Sequence, residues 1–199
     1  MSKSLSKTRS KPEQIRIISG SLKRSILPVI DLDGLRPTPD RVRETLFNWL
    51  TYFWDGDFSD KSVLDLFAGS GALGFEAASR GAQHVQMVEK HPKAVAALRQ
   101  FRDKHKLSQV RINDHDAKLA LKRMDDSRFD LILIDPPFAN EQLLSTTSAA
   151  LPSICKHGTL VYVESAAAVE LPEQFELLRQ DKAGASHFYL YCYNSESRV

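Results

Sequence analysis

Asp135-Pro136-Pro137-Phe138 is the segment of this chain best suited to chemistry. It follows the apolar run Leu131-Ile132-Leu133-Ile134, which reads as a buried strand, so the acid falls at a strand's carboxyl tip, where open α/β sheets place their ligands. Two consecutive prolines lack N–H donors and have a fixed φ. The Asp135 carboxylate and the Pro136 carbonyl are thereby left as rigid acceptors, suited to the two hydrogens of a planar amine. Phe138 follows, ready to stack on a base. The same letters also make an ordinary strand-ending turn, and only the neighbouring elements separate the two readings.

A second candidate is Asp65-Leu66-Phe67-Ala68-Gly69-Ser70-Gly71-Ala72-Leu73-Gly74, between a strand and a helix. Its Gly69-x-Gly71-x-x-Gly74 pattern matches the nucleotide-cofactor fingerprint in the required strand-turn-helix context. The glycines allow a tight turn and a close backbone approach. Phe67, Ala68, Gly69, Gly71 and Gly74 are the candidate cofactor contacts. A dinucleotide would set its pyrophosphate there; S-adenosylmethionine would lay its methionyl part across the loop with Asp65 near its ammonium. An acid at that place disfavours a phosphate. Glu89, ending the next strand, is placed to accept ribose hydroxyls, a feature both cofactor classes use. Asp116-Ala117, after a third strand, can receive the adenine amino group, or Asp116 can cap the following helix.

The elements that position these groups alternate. Val63 to Phe67, His84 to Glu89, Val110 to Ile112, Phe129 to Ile134 and Thr159 to Glu164 read as strands; Ala72 to Arg80, Pro92 to His105, Ala117 to Met124 and about Glu141 to Leu151 read as helices. This order implies βαβ units and a mostly parallel, doubly wound sheet. Phe175 to Arg179 and His187 to Tyr193 break the alternation: too few residues separate them for a helical crossover, so they pair antiparallel. Ahead of the sheet, Ile15 to Ile18 and Ser25 to Val29 flank a hairpin turn at Ser19-Gly20-Ser21. Thr38 can N-cap a helix with Pro39 at its first position, running to Leu50.

At 199 residues, 42% hydrophobic and 26% charged, the chain is long enough for one globular domain with a small appendage. Residues 1–13 read as a basic disordered tail, 14–54 as a hairpin-and-helix extension, and 55–199 as the sheet domain that carries both motifs. Two cysteines give neither a disulfide framework nor metal-ligand spacing, which suits a reducing cytoplasm. No apolar run is long enough for a membrane span, so a soluble protein is expected. The net charge of +2 hides an asymmetry: residues 1–50 carry 10 Lys and Arg against 5 Asp and Glu. A basic front end is the expected footprint of a polyanion. With no long exposed apolar stripe, a monomer is expected.

A parallel sheet ending in an antiparallel hairpin resembles the Rossmann-like methyltransferases, and Asp135-Pro136-Pro137-Phe138 matches the Asn/Asp-Pro-Pro-Tyr/Phe motif of those that act on amino groups. The front end narrows the resemblance. Gln14-Ile15-Arg16-Ile17-Ile18-Ser19-Gly20, Leu35-Arg36-Pro37-Thr38-Pro39-Asp40-Arg41-Val42-Arg43-Glu44-Thr45-Leu46-Phe47-Asn48-Trp49-Leu50 and Tyr162-Val163-Glu164 are similar to the bacterial RsmD family. Two departures are visible: the family usually has Gly-Gly where this chain has Ser19-Gly20, which bears on that turn alone, and the residues around Ala185-Ser186-His187 differ from the family's usual tail without touching the motifs.

The resemblance implies S-adenosylmethionine as cofactor, no metal, and methylation of guanine N2 in 16S ribosomal RNA, with small-subunit ribosomal proteins as further docking partners. Asp135 and Pro136, with Pro137 and Phe138, would carry catalysis. Lys23, Arg24, Arg36, Thr38, Arg41 and Arg43 would meet the RNA, Arg36 and Thr38 alternatively closing over the cofactor. The motif suits other planar amines as well: adenine N6 of DNA, or a protein glutamine amide. A non-catalytic RNA-binding module with a relict cofactor fold is the reading outside the enzyme class.

Overall fold

The computed structural model describes residues 14–28, 39–124, 129–137 and 141–195, with the side chains of 141–144 left aside. The tail 1–13, Arg36, Thr38 and Phe138 lie outside the described residues. The elements are α1 (Asp40–Phe53), β1 (Ser62–Asp65), α2 (Ala72–Ser79), β2 (His84–Val88), α3 (Pro92–Lys104), β3 (Val110–Asn113), α4 (Ala117–Arg123), β4 (Phe129–Ile134), α5 (Glu141–Ile154), β5 (Cys155–Ser165), β6 (Phe175–Ala183) and β7 (Ser186–Tyr193). They build a seven-stranded sheet of order β3-β2-β1-β4-β5-β7-β6. The first five strands are parallel, and β7 runs antiparallel to both β5 and β6. The expected doubly wound sheet with a terminal antiparallel hairpin is the observed one.

Strands buried on both faces explain the continuous apolar runs. Val63, Leu131, Leu133, Leu160, Tyr162 and Phe188 face one apolar layer, which includes α1, α2 and α3. Leu64, Ile132, Ile134, Val161, Val163 and Tyr189 face the other, with α4 and the end of α5. Two strands run longer than their apolar cores suggested. β5 begins at Cys155 because its irregular start is pinned to β4: Thr159 Oγ1 donates to the Phe129 carbonyl at 2.6 Å and accepts from Lys156 N–H at 2.9 Å. β6 extends to Ala183 as a largely exposed edge strand, whose polar residues carry no alternation to read.

The front end departs from expectation in two places. The hairpin is reduced to a single bridge between Arg16 and Ile26, flanked by Ile17 N–H to Ser25 and Leu27 N–H to Ile15. Pro39 is the N-cap residue of α1 rather than its first helical residue; its extended ψ of 146° leaves its carbonyl to accept from Val42 and Arg43. Gly20 makes the turn possible. Its φ is +81°, and a Cβ there would lie 1.9 Å from the Ser79 carbonyl oxygen. Ser19, the departure from Gly-Gly, is accommodated: its N–H reaches Glu76 and its carbonyl accepts from Ser79 Oγ.

One acid holds the extension to α2. Glu76 is fully buried on an otherwise apolar helix, and its carboxylate accepts from Ile18 N–H at 2.7 Å, Ser19 N–H at 3.0 Å and Arg80 Nε at 2.8 Å. The Arg80 guanidinium lies 4.8 Å over the Phe47 ring of α1. Removing the Glu76 carboxylate would orphan two backbone N–H groups and a half-buried guanidinium. Glu76→Ala should therefore cost about 2–4 kcal/mol in urea unfolding, while Glu44→Ala on the exposed face of α1 should change little.

Candidate active site

The strand order reverses direction between β1 and β4, and such a switch point opens a crevice at the carboxyl ends of the strands. The sequence-read groups meet there. Asp65 ends β1, Glu89 follows β2, and Asp135-Pro136-Pro137 follows β4. Leaving β1, the chain is tied sideways in both directions: Leu66 N–H donates to Leu133 of β4 at 3.0 Å, and Ala68 N–H to Val88 of β2 at 2.9 Å. The glycine loop is thus slung across the mouth of the crevice, beside Asp135.

Three glycines meet the demands on them. Gly69 and Gly71 have φ of +51° and +80°, the left-handed region that favours glycine. Gly71 caps α2. At Gly74 the need is proximity: an added Cβ would stand 2.4 Å from Met87 Cε and 3.0 Å from Asp65 Oδ2. That closeness lets Gly74 N–H donate to Asp65 Oδ2 at 3.0 Å. Glu89 braces the other side of the loop, accepting from Gly69 N–H at 2.9 Å and from His91 N–H at 2.7 Å.

These bonds decide which ligand suits the loop. In a pyrophosphate cradle the loop N–H groups and the helix terminus point at the anion. Here the Gly69 and Gly74 N–H groups are taken by carboxylates. The rim of the loop is acidic, which repels phosphate and suits a ligand with a cationic ammonium and ribose hydroxyls. S-adenosylmethionine fits that donor set. It would be held by the loop from Asp65 to Gly74 and by the remaining lone pairs of Glu89. Asp116 serves as the N-cap of α4, its Oδ1 accepting from Leu119 N–H at 2.9 Å, while Ala117 is buried behind it.

Asp65 itself is 2% exposed. Burial pushes its carboxyl up to about 7, aided by the charge of Glu89 and opposed by N–H bonds from Gly74 and Phe67. On the β4 side, Asp135 is half-buried, Pro136 buried and Pro137 exposed.

The proposed RNA contacts divide. Lys23, Arg24 and Arg41 are exposed. Arg43 is a correction: its side chain is fully buried, paired with Asp40 and donating from Nη1 to the Arg16 carbonyl at 2.9 Å. It joins α1 to the front segment and does not face a polyanion. Sequence reasoning missed two buried acids, Glu76 and Glu164. The signal for Glu76 was a single charge within an apolar helix; Glu164 was visible only as part of a family resemblance. Among the described residues no cluster of His, Cys, Asp or Glu could hold a metal ion, and no helix is long and apolar enough to cross a membrane.

A doubly wound sheet, an acid-rimmed glycine loop and an Asp-Pro-Pro turn across the switch point define a Rossmann-like, S-adenosylmethionine-dependent methyltransferase. Comparison with known proteins narrows the class. The family described as Conserved hypothetical protein 95 matches residues 15–192. A Ribosomal RNA small subunit methyltransferase D from Buchnera aphidicola is 34% identical over 190 residues, 93% of this chain and 95% of that one. The chain belongs to this methyltransferase family. A solved Escherichia coli structure described as a methyltransferase, yhhF, superposes with a TM-score of 0.81 at 34% identity, covering 92% of this chain and all of that one. A Thermus thermophilus 16S rRNA N2 methyltransferase solved with AdoMet and guanosine shares the fold, with a TM-score of 0.60 at 22% identity over 79% of this chain and 44% of that one.

A group whose folded pKa is raised stabilises the fold fully below its unfolded value, here 3.8, and loses that contribution as pH rises through about 7. Asp65→Asn removes the titration. The stability of wild type relative to the variant should therefore fall between about pH 4 and pH 7, by at most about 4 kcal/mol. Chemical denaturation of both proteins across that range measures it; a constant difference would contradict the burial of this carboxyl.

Proposed function

We propose that this chain transfers a methyl group from S-adenosylmethionine to the exocyclic N2 amine of a guanine in 16S ribosomal RNA. The observation that carries the reading is the junction at the β1/β4 switch point: an acid-rimmed loop suited to the cofactor beside a paired acceptor suited to an amine. The Buchnera relative, a methyltransferase of small-subunit ribosomal RNA by name, supports the substrate class. The substrate would be the small ribosomal subunit or its assembly intermediate, with ribosomal proteins forming part of the docking surface, and the enzyme would work as a cytoplasmic monomer. Residues 14–54 would serve as the RNA-binding and cofactor-covering extension of a catalytic domain at 55–199.

The guanine amine is a poor nucleophile because its lone pair is delocalised into the ring. Asp135 Oδ and the Pro136 carbonyl would accept its two hydrogens, directing the lone pair out of the ring plane as the nitrogen becomes tetrahedral. When bound, the cofactor supplies an already activated methyl on a sulfonium. The amine nitrogen, once methylated, would release one proton, to Asp135 or to water. Pro136 and Pro137 keep the acceptors rigid, so orientation contributes without later reorganisation. Phe138 would stack on the guanine, which must leave its own stack to enter. Glu89 would hold the ribose, Asp65 the ammonium side, and Asp116 with Ala117 the adenine.

Asp135→Ala should leave cofactor affinity nearly unchanged and lower single-turnover methyl transfer by about 100-fold or more, the scale of losing one transition-state stabiliser. An unchanged rate would remove Asp135 from the mechanism. For the RNA face, Lys23, Arg24 and Arg41 reversed to Glu should flatten the salt dependence of RNA binding by about two logarithmic units per decade of salt, at about 0.7 per lost contact. Cofactor affinity, measured by calorimetry, should stay put. Substrate identity is tested by incubating labelled S-adenosylmethionine with small subunits, naked 16S RNA, DNA and a release factor in parallel. Label in DNA or protein alone would overturn the reading, and label nowhere would favour a binding module.

A further inference from the structure

A second carboxylate stands next to Asp135, and no step above uses it. Glu164, near the end of β5, is 2% exposed; its Oε1 accepts from Ser186 Oγ at 2.7 Å and its Oε2 from Tyr162 Oη at 3.2 Å. Both donors are held by the sheet. Tyr162 is fully buried in β5, its ring 6.5 Å from Phe188, and Ser186 opens β7. The parallel register pairs Leu133 with Tyr162 and Ile134 with Val163, so one further step along both strands brings Asp135 level with Glu164. Strand alternation puts the two acids on the face shared by Leu133 and Tyr162.

A buried acid is expensive to keep. Its partners here are two neutral hydroxyls, and among the described residues no cation pairs with it. A well-packed apolar side chain at such a place is often neutral or stabilising, and the residue just before it, Val163, is apolar and fully buried. Packing alone therefore does not account for an acid at position 164. The reaction does. An amine that gains a methyl carries positive charge until it loses a proton, and that charge would form on the nitrogen that Asp135 is proposed to hold. A fixed negative charge on the strand beside Asp135 would favour that charge, most strongly where water is excluded.

We propose that Glu164 is a positioning residue for methyl transfer: its carboxylate, clamped by Tyr162 and Ser186, acts through Asp135 to fix the acceptor edge and to favour charge arriving on the amine. It touches neither substrate nor cofactor and exchanges no proton with them. The inference rests on the amino-methyltransferase reading above. Its electrostatic surroundings are consistent. Burial raises the Glu164 carboxyl above its ordinary value, while the bonds from Ser186 and Tyr162 pull it back down. The Tyr162 hydroxyl is driven well above 10 by burial, by Glu164 and by Asp135, so it stays a donor throughout the working range. The groups bonded to Glu164 are thus Tyr162 from its own strand and Ser186 from β7, and Asp135, after the end of β4, acts on the same Tyr162 hydroxyl.

Single-turnover methyl transfer at saturating S-adenosylmethionine, where ionisation of Asp65 bears on binding and not on the rate, is measured against pH in three proteins. Wild type should show an acid limb, activity rising with pH as Glu164 ionises. Glu164→Gln keeps the shape and removes the charge; it should lower the rate at least tenfold, abolish that limb and leave cofactor affinity within twofold. Ser186→Ala loses a bond that favours the charged form, so its limb should move to higher pH while the plateau rate is largely kept. A purely structural glutamate would move melting temperature without moving any limb. Retention of rate and limb in Glu164→Gln, or an unmoved limb in Ser186→Ala, overturns the proposal. If Glu164→Gln fails to fold, the Ser186→Ala limb decides alone. Absence of RNA methylation by wild type would instead strike the functional reading on which this one rests.

Discussion

The hydrogen bond from Gly74 N–H to the buried carboxylate of Asp65 is the constraint on which the site depends. It joins the last residue of β1 to the first turn of α2, and it exists because glycine at 74 leaves no Cβ between the helix and Met87. The loop between is then only six residues long, 66–71, and its course is fixed by ties to β4 on one side and β2 on the other. Asp65 costs free energy to bury, yet it converts a loop that would otherwise present its amides to phosphate into one that presents acid. Cofactor choice is in this sense a by-product of how the helix is anchored.

The same helix is anchored again farther along, and this time outward. α2 has only eight residues, too few to be stable on its own. Glu76 and Ser79 hold the front segment through Ile18, Ser19, Ser21 and Leu22, and the Glu76–Arg80 pair reaches α1 through Phe47. Arg43 completes the triangle by bonding α1 to the carbonyl of Arg16. A short helix thus carries the cofactor loop at one end and the basic extension near the other. The two attachments lie about two helical turns apart, a distance of roughly 11 Å.

Much of this was legible beforehand, for identifiable reasons. Strands buried on both faces leave continuous apolar runs, so β1, β2 and β4 were readable almost to the residue; each glycine of the loop answers a local steric demand that leaves its mark in the letters. β6 was readable only at its start, because an exposed edge strand has no buried face to impose alternation. Arg43 was misplaced for a different reason. An arginine one turn into an amphipathic helix looks like surface charge, and its burial follows from tertiary facts: an Asp three residues earlier and a backbone carbonyl brought in from the front segment. Pairing across 27 residues leaves no local pattern. Glu76 shows the converse, since one acid in an apolar octet is a legible anomaly whose partners are nonetheless invisible.

The distribution of charge ties these elements to one another. Asp65, Glu89, Asp135 and Glu164 come from four neighbouring strands and stand in a row along the carboxyl edge of the sheet, while Lys23, Arg24 and Arg41 stand exposed on the extension. A row of acids in a protein proposed to dock a polyanion looks self-defeating, and at the scale of the whole chain, with a net charge of only +2, the two signs nearly cancel. Screening resolves the conflict. Exposed charges would act on RNA phosphates across water, over about 8–10 Å, whereas Asp65 and Glu164 are buried, Glu89 and Asp135 half-buried, and all four act on groups in direct reach. The cations would gather the backbone; the acids would then meet only what is brought into the crevice, a cationic cofactor and an uncharged base about to acquire positive charge. Both are species that a negative floor favours and that a phosphate-binding floor would reject.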